Sequence, residues 1–380
     1  MRIEKLSSDI DIRKYLTELG VDIGGVNILS QKAQTHIIYI SGLHVGGANI
    51  LKQDALSVGA DLAVPRGTVV ASIKKVDSIL IATSRQLEKL SKKELAQPFG
   101  LKELAYKLQD ILKTSKPESL EIMGIINAND DSFFSGSRFK DSTAISKIEQ
   151  MIDDGADIID IGGVSSRPNA PIVSVEDELA RVKPIIESIS KNRLYEKIKF
   201  SIDSYEPKVI SLALDNGFEI VNDITGLRDD EVCKLCANYN ATAVIMHMQG
   251  TPQTMQDNPI YESMISDVYN YLESSVKRAE SFGVKDIIVD VGIGFGKSLD
   301  DNLRLIKNLE NFLTLNKKIL VGASRKSMID KISPSLVEDR IAGTLALHLE
   351  SYKNGASILR VHDVKEHLQA IKIQQALNSI

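Results

Sequence analysis

Downstream of residue 117, short runs of aliphatic and β-branched residues alternate with longer stretches whose apolar positions recur every three or four residues. The short runs are Ile122 to Ile126, Asp157 to Ile161, Ile198 to Asp203, Glu219 to Asn222, Ala243 to His247, Asp286 to Asp290, Lys318 to Gly322 and Ser357 to Arg360. Between them Val175 to Ile189, Pro207 to Asn216, Met264 to Phe282 and Leu299 to Leu309 keep the helical period. Strand and helix in eightfold alternation over residues 117–380 predict an α/β fold, a (β/α)8 TIM barrel with its helices outside. A doubly wound open sheet is the alternative. It has fewer strands and a glycine-rich first turn, which does not follow the first run here.

The front of the chain has a different pattern. Thr35 to Ser41 and Ser78 to Ala82 read as strands, Ile10 to Leu19 and Gln86 to Leu95 as helices, so residues 1–113 are expected to form a small α+β domain. No role follows from its pattern. Gly46, Gly47 and Asn49, after His44, are explained by a turn entering a helix. The polar, proline-bearing segment Thr114 to Glu118 is placed as the boundary between the two domains.

Composition narrows the class further. Of 380 residues, 43% are hydrophobic and 26% charged, which suits a soluble protein with a sizeable core and excludes disordered or collagen-like chains. Lys and Arg number 46 against 51 Asp and Glu, a net charge of −5, so the basic excess that a nucleic-acid partner requires is missing. Apolar stretches such as Ile37 to Ile40 fall far short of the ~20 residues of a membrane helix, and Met1 to Asp11 contains no signal-peptide core. A cytoplasmic protein without membrane contact is expected. Cys233 and Cys236 form a C-x-x-C, but no second pair completes a metal site. They fall on the amphipathic stretch Asp229 to Tyr239 and are read as packing thiols.

Active sites of such barrels lie at the carboxyl ends of the strands, so the polar residues that follow each run carry the chemistry. Asp203, Asn222 and Asp290 offer acceptors and a donor suited to a planar heterocycle with several ring N–H and C=O groups. Arg167, Lys326, Arg360 and His362, accompanied by serines and glycines, form an opposing set suited to a phosphate or diphosphate.

The stretch from about 119 to 380 resembles dihydropteroate synthase. The resemblance rests on eight motifs in order. They are Met123 to Asn127 with Asp131, Ser132 and Phe133; Asp160 to Pro168; Ser201 to Ser204; Val221 to Ile224; Met246 to Gly250; Asp290 to Lys297; Gly322 to Ser327; and Ile358 to Asp363. The first 113 residues lie outside it. The resemblance implies condensation of 6-hydroxymethyl-7,8-dihydropterin diphosphate with p-aminobenzoate, giving 7,8-dihydropteroate and diphosphate in folate biosynthesis; sulfonamides mimic the amine substrate. Carried onto this chain, it implies that Asp203, Asn222 and Asp290 hold the pterin, with Met246, Gly294 and Phe295 lining it and Lys326 covering it. Asn127 approaches Mg²⁺, and Arg167, Arg360 and His362 meet the diphosphate. Phe133, Ser166, Pro168 and Ser327 line the p-aminobenzoate site, and Asp131 joins Lys326, Arg360 and His362 in the catalytic set. A homodimer is implied by resemblance alone.

The first loop departs from the family, with Ala128, Asn129 and Asp130 where valine, threonine and proline are usual. This is expected to leave that loop harder to close over an anionic substrate. Val164, Ser166 and Val291 replace a usual glutamate, threonine and proline. Two rival readings are a pterin-binding methyltransferase, which needs no diphosphate pocket, and a non-catalytic pterin-binding scaffold.

Overall fold

A computed structural model describes residues 1–8, 10–128, 139–165, 167 and 170–379. The chain divides into two compact units, Met1–Ser115 with Gln375–Ile380, and Lys116–Gln374.

In the first unit three antiparallel strands, β1 (Thr35–His44), β2 (Asp61–Ala63) and β3 (Lys75–Thr83), pair in the order β1-β3-β2. Strand β3 alternates strictly, so Val76, Leu80 and Ala82 face a core completed by Leu51, Leu87, Leu90 and Leu108. Two elements expected from sequence, the Thr35 strand and the Ser78 strand, are present and longer than their apolar runs; helices Ile12–Glu18 and Ser84–Glu94 match the two expected helices. Helices Ile23–Ala33 and Leu101–Lys113 were not legible, whereas the turn at Gly46, Gly47 and Asn49 enters helix Val45–Ser57 as expected. His44 caps that helix, accepting the Gly46 N–H at 3.0 Å while its ring stacks on Phe99.

Glu94 ends helix Ser84–Glu94 fully buried beside the Asp54 carboxylate, and among the described residues neither of its carboxylate oxygens meets a hydrogen-bond donor. Burial, reinforced by the Asp54 carboxylate, raises its pKa from 4.5 to about 7. The folded chain therefore holds this proton more tightly than the unfolded chain. Its contribution to stability is fully present below pH 4.5 and is lost as the pH rises through about 7. At ~1.4 kcal/mol per pH unit the loss is about 3 kcal/mol. In Glu94→Gln the front unit should melt at similar temperatures at pH 5 and pH 8, where the parent loses stability; the same pH dependence in both proteins would clear Glu94.

The second unit is the barrel that the alternation predicts. Its strands are β4 (Glu121–Asn127), β5 (Ile158–Gly162), β6 (Lys199–Asp203), β7 (Ile220–Asp223), β8 (Thr242–Met246), β9 (Ile287–Asp290), β10 (Lys318–Val321) and β11 (Ile358–Val361). They close in the order β10-β11-β4-β5-β6-β7-β8-β9, and every pairing is parallel. Helices alternate with the strands and bury their apolar stripes on them, as Val182, Ile186 and Ile189 of helix Val175–Lys191 do. Met123, Ile158, Ile220, Val244, Ile288, Leu320 and Ile358, one from each of seven strands, form a separate apolar layer inside the barrel. Cys233 and Cys236 are buried on helix Asp230–Tyr239 as packing residues, and burial pushes the Cys236 thiol up to about 12. Among the described residues no helix is long and apolar enough to cross a membrane.

Candidate active site

Strand side chains repeat with a period of two, so the residue two places beyond each member of the apolar layer points into the barrel one level higher. Those positions hold Ile125 after Met123, Asp160 after Ile158, Asn222 after Ile220, Met246 after Val244, Asp290 after Ile288, Gly322 after Leu320 and Arg360 after Ile358. Apolar residues plug the barrel, and four of the seven positions in the next layer are polar or charged, which makes it the floor of the site. The pairing register sets neighbours: Asp203 lies opposite Asn222, and Met246 opposite Asp290.

Arg360 ties this floor together. Its Nε donates to Asp160 Oδ2 and its Nη2 to Asp203 Oδ2, both at 2.6 Å, while Asn222 Nδ2 donates to the same Asp160 oxygen at 3.1 Å. Asp160 is fully buried, and its second oxygen has no hydrogen-bond partner among the described residues. Burial alone would weaken the guanidinium's hold on its proton, but Asp160 and Asp203 more than restore it, so its pKa is raised. Burial also raises Asp203 above the usual carboxylate range, although Arg360 pulls the other way. The ring-binding and anion-binding sets expected from sequence are thus interlocked through Arg360. Asp160, inside the run Ile158 to Ile161, was missed as a site residue. The signal was available, because a carboxylate flanked by isoleucines on a buried strand must have a partner. Asp223 turns away from the floor to accept the backbone N–H groups of Thr225 and Leu227.

Beyond β9 the chain loops back over the floor. Asp290 is buried and accepts the Gly292 N–H at 2.7 Å, and burial raises its pKa against that bond and the nearby Lys326 and Lys297. Gly292 has φ +68, and a Cβ there would lie 1.9 Å from the His247 carbonyl oxygen, so no larger residue fits. Lys297, 2% exposed, fastens the loop by donating to His247 Nδ1 at 2.9 Å and to the carbonyl oxygens of Phe295 and His247. Burial lowers this amine to about 7, and burial with Lys297 beside it lowers His247 to about 2, so the imidazole is neutral. Asn302, in helix Leu299–Lys307, accepts the Gly294 N–H at 2.7 Å. The result is an apolar shelf of Phe295, Met246, Met248, Met255 and Ile224. Lys326 Nζ lies 4.2 Å above the Phe295 ring. Burial, then Arg360, lowers Lys326 to about 8.

The loops after β10 and β11 face each other. Ser324 Oγ accepts the His362 backbone N–H at 3.3 Å and sits 2.9 Å from His362 Nδ1, so its hydroxyl hydrogen is free to donate to that nitrogen. Arg325 grips Asp363 through two nitrogens, at 3.1 and 2.5 Å. Burial, with Arg360 and Arg325 nearby, lowers His362 to about 3. In the free protein His362 is therefore a neutral imidazole, although its sequence context had placed it among cations.

Arg167 and Ser327 are exposed, and Asn127 ends β4 half-buried. Asp131, Phe133, Ser166 and Pro168, and with them the altered first loop at Asn129 and Asp130, lie outside the described residues. Among the described residues no group of three or more His, Cys, Asp and Glu is placed to hold a metal. One amide oxygen from Asn127 fits a divalent ion that draws most of its ligands from water and a substrate diphosphate. Open space of about 430 Å³ adjoins the floor on the Asp203 side, lined by Glu178, Ser204, Tyr205 and Ile224 among others.

The pterin binding enzyme family matches residues 123–362, the span that carries every one of these groups. A bifunctional dihydropteroate synthase/dihydropteroate reductase of Helicobacter pylori is 40% identical over 377 residues, 99% of each chain. The chain belongs to the dihydropteroate synthase family. The Haemophilus influenzae dihydropteroate synthase is 41% identical over 259 residues, covering 67% of this chain and 93% of its own. Among solved structures, the Xanthomonas albilineans dihydropteroate synthase in complex with 7,8-dihydropteroate has a TM-score of 0.60 at 31% identity, covering 69% of this chain and 94% of its own. The methyltransferase and scaffold readings are set aside by these relatives.

Proposed function

We propose that the chain is a cytoplasmic dihydropteroate synthase joining 6-hydroxymethyl-7,8-dihydropterin diphosphate to the amine of p-aminobenzoate. The observation that carries this reading is Arg360 held between fully buried Asp160 and half-buried Asp203, with Asn222 on the same Asp160 oxygen and Asp290 two strands away, above an apolar plug. Asp203, Asn222 and Asp290 hold the pterin edge, and Phe295 and Met246 support its face beneath Lys326. Arg360, Arg167 and His362 meet the diphosphate. Breakage of the bond from the pterin methylene to diphosphate leaves a carbocation-like centre that the ring stabilises, and the amine nitrogen attacks it and loses a proton. No protein nucleophile is needed; the side chains orient the ring and neutralise the departing charge. Neutral His362 gains basicity as the anion arrives and is placed to give it a proton. A divalent cation, Mg²⁺ by the family pattern, would be held by Asn127 and the diphosphate and makes that group a better leaving group. A homodimer belongs to the same reading.

Incubation of the full chain with both substrates and Mg²⁺ should release 7,8-dihydropteroate and diphosphate in equal amounts. Release of diphosphate with only hydroxymethylpterin, or no turnover, would reject the assignment.

A second activity is favoured by coverage. The bifunctional relative spans 99% of this chain, including the front unit, whereas the Haemophilus influenzae synthase spans 67%. We therefore assign residues 1–113 as a separate domain serving reduction of the dihydropteroate product, a hydride and a proton being added across its C=N bond. The full chain supplied with 7,8-dihydropteroate and a reduced nicotinamide or reduced flavin should consume the dihydropterin absorbance. Persistence of that absorbance with both donors would reject the second activity.

A further inference from the structure

Two histidines that the proposed chemistry does not use are buried against each other behind the loops after β10 and β11. His348, in helix Ile341–Lys353, and His367, in helix Val364–Asn378, are 0% and 1% exposed. The Ala323 N–H meets His348 Nε2 at 3.0 Å, His348 Nδ1 lies 2.8 Å from His367 Nε2, and His367 Nδ1 lies 2.6 Å from the Asp363 carbonyl oxygen.

The backbone groups at the two ends decide where the protons are. An amide N–H only donates, so His348 Nε2 carries no hydrogen and the neutral ring bears its proton on Nδ1. A carbonyl only accepts, so His367 is protonated on Nδ1, leaving its Nε2 to accept from His348. One arrangement satisfies all four groups, with both rings neutral and in the Nδ1–H form. A further proton on His348 would set two N–H groups against each other at Ala323. Burial, and then the neighbouring His367 and His362, hold His348 well below the usual range; burial lowers His367 against the pull of Asp363 and Glu366.

We infer that His348 and His367 are positioning residues for the diphosphate end of the substrate. Pairing of β10 with β11 ends at Val321 and Leu359, and Arg360 and His362, two of the groups assigned to the anion, lie beyond that point. There the two loops are joined in front by Ser324 with His362 and by Arg325 with Asp363, and behind by the histidine chain from Ala323 to Asp363. Ala323 immediately precedes Ser324, Arg325 and Lys326; Asp363 immediately follows His362. The pair thus sets the spacing between the loop that carries Lys326 and the one that carries His362, just past Arg360 at the end of β11. A pterin held by Asp203, Asn222 and Asp290 depends on that spacing only through Lys326, which covers it. This inference rests on the synthase reading of the two loops.

The test compares the full-length wild type with His348→Leu, His348→Gln and His367→Gln. Glutamine offers both an acceptor and donors and can rebuild part of the chain, whereas leucine offers neither. Leucine should raise KM for the pterin diphosphate about tenfold or more, a larger factor than it changes kcat or KM for p-aminobenzoate. His348→Gln should recover most of that loss, and affinity for hydroxymethylpterin without diphosphate should fall by a much smaller factor than affinity for the diphosphate. Imidazole ¹⁵N NMR of the wild type should show both rings neutral and protonated on Nδ1. A leucine variant with lowered melting temperature but unchanged KM, or rings protonated on Nε2, would overturn the inference. If the leucine variant does not fold, the NMR result and the glutamine variants decide. A wild type that makes no dihydropteroate would count against the synthase reading, while the NMR result still judges the hydrogen-bond chain.

Discussion

Replacing Arg360 by alanine is expected to lower kcat/KM for the pterin diphosphate by about 10³-fold, equivalent to ~4 kcal/mol. The guanidinium is the one group hydrogen-bonded to both Asp160 and Asp203 among the described residues, and it is the cation nearest to both. Alanine leaves two carboxylates in a buried floor without countercharge. They respond by taking up a proton, and a protonated Asp203 no longer accepts from the ring. The substrate also loses a two-pronged donor for its diphosphate. Lysine at 360 should recover only part of the loss, because one ammonium cannot span carboxylates on β5 and β6 as the guanidinium fork does. Steady-state kinetics on the three proteins check this; an alanine variant within tenfold of the wild type would remove Arg360 from the centre of the site.

Asp290→Asn is expected to weaken pterin binding by about 30- to 1,000-fold, ~2 to 4 kcal/mol, while leaving the loop in place. The amide oxygen can still accept the Gly292 N–H that Asp290 Oδ1 accepts now. The other oxygen is replaced by an NH2, which presents a donor to a ring N–H. The loss is therefore confined to the ligand. Calorimetry with hydroxymethylpterin reads it directly, and unchanged affinity would place the ring elsewhere.

The barrel was legible because its strands are short apolar runs between amphipathic helices, and each run ends within a residue or two of the strand it predicted. The polar floor was legible where the site residue ends its run, as Asp203 and Asp290 do. It was hidden where the site residue sits inside one: Asp160 is followed by Ile161 and Gly162, still within the strand. Lys297 reads as the tail of a glycine-rich turn, yet its amine folds inward to His247, a contact set by tertiary packing. His348 and His367 lie on the outer helices, where an isolated histidine carries no sign of its partner. In the front unit Asp61–Ala63 is too short to show a period, and the glycine pair at Gly24 disguises the first turn of helix Ile23–Ala33. The neutral state of His362 was likewise beyond the sequence, since burial and two neighbouring guanidinium groups produce it.

The central claim is that one bowl holds the pterin ring by Asp203, Asn222 and Asp290 and turns its diphosphate toward Arg360 and His362. Calorimetry of hydroxymethyldihydropterin and of its diphosphate, each against wild type, Asp290→Asn and Arg360→Ala, tests it most directly. Asp290→Asn should weaken both ligands by the same factor, because both carry the ring. Arg360→Ala should weaken the diphosphate ligand at least about tenfold more than the bare pterin, the surplus being the lost charge-assisted contact. Equal losses for the two ligands in Arg360→Ala, or unequal losses in Asp290→Asn, would contradict it.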